Sequence, residues 1–87
     1  ESGTDIFLSK SLRQKKILLA IDSFKEVIRI QPKNYPLYEK IGSYYFKLDN
    51  KDQAVKFLKK SIKVKPNWMA YDTLGEIYFN LGDYLKS

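Results

Sequence analysis

Cysteine and histidine are both absent from this chain. Their absence excludes disulfide staples, thiol nucleophiles, zinc sites of the Cys/His type and an imidazole general base. Glycine and proline are sparse, at four and three residues, and no glycine cluster forms a phosphate-cradling loop. The longest aliphatic run is Ile17-Leu18-Leu19-Ala20-Ile21, far short of the ~20 residues that a membrane span needs. Arginine is nearly missing too: Arg13 and Arg29 stand among 16 basic residues. What remains is 87 residues, 44% hydrophobic and 30% charged, the balance of an ordered, helix-rich chain that folds around one core.

The formal charge of +6 is carried almost wholly by lysine. Lysine lacks the bidentate fork with which arginine grips phosphates and guanine edges, so the basic pI is a weak sign of nucleic-acid binding. A soluble lysine-rich surface is the simpler reading. The chain opens Glu1-Ser2-Gly3-Thr4 without an initiator Met and reads as a processed fragment, from which any signal peptide or anchor would already be gone. Compartment is therefore left open. No catalytic constellation is present: Asp22 with Glu26 and Asp49 with Asp52 have the spacing of ordinary solvated or helix-end acids. Neither enzymatic activity nor a cofactor or metal is expected.

Self-similarity is the strongest signal. A shift of 34 residues places Ala20 over Ala54, Ile21 over Val55, Phe24 over Leu58, Ile28 over Ile62, Ile30 over Val64 and Pro32 over Pro66. A shift of 33 places Tyr38 over Tyr71, Ile41 over Leu74, Gly42 over Gly75, Tyr45 over Tyr78, Phe46 over Phe79 and Leu48 over Leu81. The one-residue difference falls between the prolines and the tyrosines, in a connection where length is least constrained. Within each block apolar residues recur three or four apart, so both blocks are amphipathic helices. Asp49-Asn50 and Gly82-Asp83 supply helix-stop and N-cap residues, and Pro32 to Pro36 and Pro66-Asn67 end the other type. Pro36 suits a first helical turn, where its missing N–H costs nothing.

The unit of helix, tight turn, helix, turn, with Tyr38, Ile41-Gly42, Tyr45, Ala54, Leu58 and Pro66 in the middle copy and Tyr71, Leu74-Gly75 and Tyr78 in the last, resembles the tetratricopeptide repeat. The resemblance implies an all-α fold, an α-solenoid of antiparallel helix pairs with about two and a half repeats and five helices. The whole chain, 1–87, reads as one domain: a first repeat over about 4–33, a second over about 35–67 and a half repeat over about 68–87. The first repeat keeps Ala20, Phe24 and Pro32, but Phe7-Leu8 stand where an apolar-glycine pair belongs. A helix over about Asp5 to Gln14 with Thr4 as N-cap is expected, followed by a turn. Because Gln14-Lys15-Lys16 contains no breaker, one longer helix is the competing reading. Small residues at the crossing let paired helices approach closely, which assigns Gly42 to lie against Ala54 and leaves Gly75 for a helix yet to come. The last helix would then cap the array or present Leu74, Tyr78 and Leu81 to another chain.

The resemblance also implies that the first helix of each pair lines a concave surface. The residues facing it would be Glu39, Ser43, Phe46 and Lys47 in the middle repeat and Asp72, Glu76, Phe79 and Asn80 in the last. Some members of the family hold acidic C-terminal tails with basic and amide side chains at such places; here carboxylates and Ser43 stand there, with Lys40 and Lys47 as the nearby cations, so an apolar or basic segment of a partner protein is the expected ligand. Phe46 and Phe79 would seat it, unless both rings merely complete the core. Self-association through the open C-terminal end is the alternative. Nucleic-acid or anionic-membrane binding by the lysine face of Lys56, Lys59, Lys60 and Lys63 is the weakest reading, for that helix interleaves one aromatic, Phe57. Trp68 is expected to wedge between repeats, with a surface anchor as the alternative.

Overall fold

The computed structural model describes residues 2–86, with side-chain surroundings for residues 9–80. Four helices follow in order: α1 (Ser2–Ile30), α2 (Tyr35–Lys47), α3 (Lys51–Val64) and α4 (Trp68–Lys86). The expected fifth helix is not formed, because α1 runs unbroken through Gln14-Lys15-Lys16. Glutamine and lysine are good helix formers, and no proline or glycine lies between Thr4 and Ile30 to offset the gain from continuing the hydrogen-bond ladder. Thr4 accordingly lies inside the helix. Gly82-Asp83 do not stop the last helix either, since α4 continues to Lys86.

Three asparagines begin the remaining helices. Asn34 Oδ1 accepts from the Leu37 amide at 3.3 Å, Asn50 Oδ1 from Gln53 at 3.3 Å and Asn67 Oδ1 from Ala70 at 3.0 Å, each satisfying a first-turn N–H that has no intrahelical acceptor. Pro36 sits in the first turn of α2. At the other end of α2, Asp49 adopts φ 62°, and the amides of Asp49 and Asn50 return to the carbonyls of Phe46 and Tyr45, both at 2.9 Å. This left-handed cap reverses the chain within three residues and lays α3 antiparallel to α2.

The α2–α3 crossing is close at Gly42. A Cβ added to Gly42 would stand 2.8 Å from Leu58 Cγ and 3.0 Å from the Ala54 carbonyl oxygen, so only hydrogen fits there. Ser61, fully buried, donates to the Tyr35 carbonyl at 2.8 Å and accepts from Asn67 Nδ2 at 3.1 Å. One hydroxyl thus joins the start of α2 to the cap of α4.

The core has two parts. Ala54, Leu58, Ala70, Leu74 and Ile77 form the part between α3 and α4, against which Tyr45, Phe46, Val55 and Ile62 pack. Ile21, Ile41 and Phe57 form the part shared by α1, α2 and α3, flanked by Ile17, Phe24, Ile28, Tyr38 and Tyr44. Tyr45 borders both: its ring stacks on Phe57 at 5.6 Å and its hydroxyl accepts from Lys25 Nζ at 2.8 Å. Leu74 is therefore core and not a free contact, whereas Tyr78 is half exposed; Leu81 lies outside the residues whose side chains are described. Trp68 does not wedge between helices. It opens α4 with its ring 76% exposed, because Asn67 rather than the indole makes the connection to α3.

Candidate functional site

Glu39, Ser43, Phe46 and Lys47 recur along α2 at helical spacing, and Asp72, Glu76, Phe79 and Asn80 do so along α4. Helices α2 and α4 touch, being held in adjacent positions by α3. On α2, Ser43 Oγ donates to Glu39 Oε1 at 3.0 Å. The same carboxylate oxygen lies 3.4 Å from Thr73 Oγ1 of α4, whose hydroxyl is also 3.1 Å from the Met69 carbonyl. Glu39 is thereby fixed at the seam between the two helices, half-buried with Ser43.

Beside that seam opens a depression of about 310 Å³ lined by Asn34, Pro36, Leu37, Glu39, Lys40 and Met69. Its walls are largely apolar, with one carboxylate and one ammonium at the rim. Pro36 and Met69 are repeat equivalents, as are Lys40 and Thr73. Neither Thr73 nor Met69 was expected at the site; Thr73 meets Glu39 because α2 and α4 lie side by side, which the period within one helix does not specify.

The structure separates the two phenylalanines. Phe46 is half-buried against the α3–α4 core, while Phe79 is 68% exposed. Asp72, Glu76 and Asn80 share the open face of α4 with Phe79. Lys47 is exposed, its ammonium 5.1 Å from the Tyr44 ring centroid, and Lys40 lies 5.6 Å from that of Phe24. Both cations are drawn to aromatic faces. Lys47 also lines a second cleft of about 310 Å³ with Arg13, Lys16, Ile17, Ala20 and Tyr44, between α1 and α2. Of the eight expected residues, Glu39, Ser43 and Phe46 of α2 are tied into the fold, whereas Lys47 and the α4 set are open to solvent, with Thr73 as the bridge.

Among the described residues no group of three or more Asp, Glu, His or Cys side chains could hold a metal ion. None of the helices searched is long and apolar enough to cross a membrane. No curated protein matches the chain, and no solved structure does. Residues 35–67 match the family of the tetratricopeptide repeat, spanning α2, its left-handed turn, α3 and the Asn67 cap. Repeats of this family are typically non-enzymatic and generally mediate protein–protein interaction. The tight glycine crossing, the antiparallel pair and the sequence match coincide on one segment, residues 35–67, which is similar to a tetratricopeptide repeat.

Proposed function

We propose that the protein is a protein-interaction module, a short solenoid of antiparallel helix pairs that binds a segment of a partner protein along the α2–α4 face. Under this reading α4 is the first half of a further repeat over 68–87, and the C-terminal half of α1 is the second half of a preceding one. The observation that carries the proposal is the exposed ring of Phe79 on the same open face of α4 as Asp72 and Glu76. An accessible aromatic flanked by carboxylates suits an apolar segment bearing lysine or arginine. Phe46 supports this surface from within rather than meeting the ligand, and Lys47 and Asn80 mark its far end.

The test is a peptide array probed with the purified chain, followed by titration of the selected peptides. Basic, apolar sequences should be enriched. Phe79→Ala should weaken their binding by ~1–3 kcal/mol, the usual effect of losing an interface hot spot, and Asp72→Lys with Glu76→Lys should invert the preference for charge. Unaltered affinity in both variants would remove this face from the proposal.

A further inference from the structure

Two apolar helix faces at opposite ends of the molecule are the two halves of an interface that the chain already makes once. Within residues 35–67, α3 meets α2 through Ala54, Phe57, Leu58 and Ser61, all buried. Their counterparts on α1, displaced by 34 residues, are Ala20, Ser23, Phe24 and Val27. Ser23 is exposed and Val27 is 39% exposed, while Ala20 and Phe24 are half-buried at the edge of this face, Phe24 with its ring 5.5 Å from that of Tyr44, because α2 packs on the adjoining side of α1 through Ile21. Exposed Leu12, Leu19 and Ile30 extend this open face in both directions. On α4, the α2 residues that receive α3 recur as Tyr71, Gly75 and Tyr78. A Cβ at Gly75 would meet nothing within 4 Å, where one at Gly42 would meet α3 at 2.8 Å. The tyrosines are 55% and 49% exposed.

We propose that the chain associates head to tail with a second copy of itself, α4 of one copy pairing with α1 of the next as α2 pairs with α3. Charge favours this pairing over like with like. Helix α1 carries Lys10, Arg13, Lys15, Lys16, Lys25 and Arg29 against three carboxylates, and α4 carries Asp72, Glu76 and Asp83 against Lys86 alone. An α4–α4 contact would bring like charges together. Helix length agrees as well. Relative to their repeat equivalents, α1 extends N-terminally past the position matching Lys51, and α4 extends C-terminally past the one matching Lys47. In an antiparallel pair these two extensions lie on the same side and continue the contact. Such an interface is heterologous, so each copy keeps one free face and assembly proceeds beyond a dimer. The proposal stands on the internal repeat and does not require a peptide in the α2–α4 groove.

Sedimentation velocity from about 1 to about 500 µM should show a mean mass that rises with concentration, and the rise should shrink as salt goes from about 50 to about 500 mM. Gly75→Leu should shift association to at least ~10-fold higher concentration by holding the helices apart, with melting temperature unchanged or raised because the site is open within one copy. Val27→Glu, or the more exposed Leu19→Glu, should block the opposite face. The two classes of variant mixed should give a one-to-one heterodimer that grows no further, since each retains one competent face. A chain monomeric throughout, a Gly75→Leu variant that associates like the parent, or a face-blocked α1 variant that still self-associates through α4 alone would each overturn the proposal.

Discussion

Helices α2 and α4 share Tyr38/Tyr71, Gly42/Gly75, Tyr45/Tyr78 and Phe46/Phe79 at equivalent places, yet these residues lead different lives. Gly42 is enclosed by Leu58 and Ala54, and Gly75 faces open space. Phe46 lies against the core, and Phe79 is in solvent. Tyr45 is clamped between two parts of the core, and Tyr78 is half exposed. The repeated residues specify what a neighbour must look like. They do not supply the neighbour. Environment at each position is set by which helix comes next, which is why the same side chain stabilises the fold in α2 and is available for recognition in α4.

The comparison can be broken most severely at the residue that fills the α2–α3 crossing. Leu58→Ala should cost ~2–5 kcal/mol in urea unfolding, the range for emptying a fully buried leucine site; a cost near zero would mean that α3 is not closed on α2. Next comes a pair of glycine substitutions of opposite sign. Gly42→Ala should destabilise by ~1–3 kcal/mol through overpacking, although alanine is the better helix former. Gly75→Ala should stabilise by ~0.5–1 kcal/mol, the ordinary gain of alanine over glycine in a helix. Equal signs in thermal melts would mean that the two faces are alike. The phenylalanines should split in the same manner: Phe46→Ala is expected to cost about 2 kcal/mol, less than a fully buried ring, and Phe79→Ala to stay within ~0.5 kcal/mol, as for surface sites. Ser61→Ala should cost ~1 kcal/mol for a buried hydrogen-bonded hydroxyl, with faster amide exchange at the start of α2 and of α4 as its local sign.

Much of the fold was legible because its strongest constraints are local or periodic. Gly42 against Ala54 follows from the small residues that the resemblance puts where paired helices cross, and the structure places them so. Asn50 at the start of α3 and Pro36 in the first turn of α2 follow from cap chemistry. The failures lie where a local stop signal competes with helix continuity. The polar run Gln14-Lys15-Lys16 was read as a turn because a repeat demanded one, but helix propensity decided the outcome. Gly82 occupies the place of Asp49 in the repeat, yet no left-handed cap forms there. Trp68 was assigned to the interior by size, although Asn67 with its amide bonded to Ser61 and to the Lys65 carbonyl at 2.8 Å already makes the connection. At the candidate site, Asp72, Glu76 and Phe79 stand exposed on α4, whereas Phe46, at the place in the repeat equivalent to Phe79, packs against the core. The bridge through Thr73 could not be read from the sequence, since it depends on the distance between helices and not on the period within one.

Tyr45 has a consequence for how the molecule comes apart. Stacks of helix pairs in general can fray from one end, because each unit touches only its neighbours. Here a single phenol borders both portions of the interior, rests on a ring from α3 and accepts a hydrogen bond from a lysine of α1. Loosening either flank strips contacts from the other, so the middle pair and its flanks should melt in one cooperative transition, with the slowest-exchanging amides centred on α2 and α3.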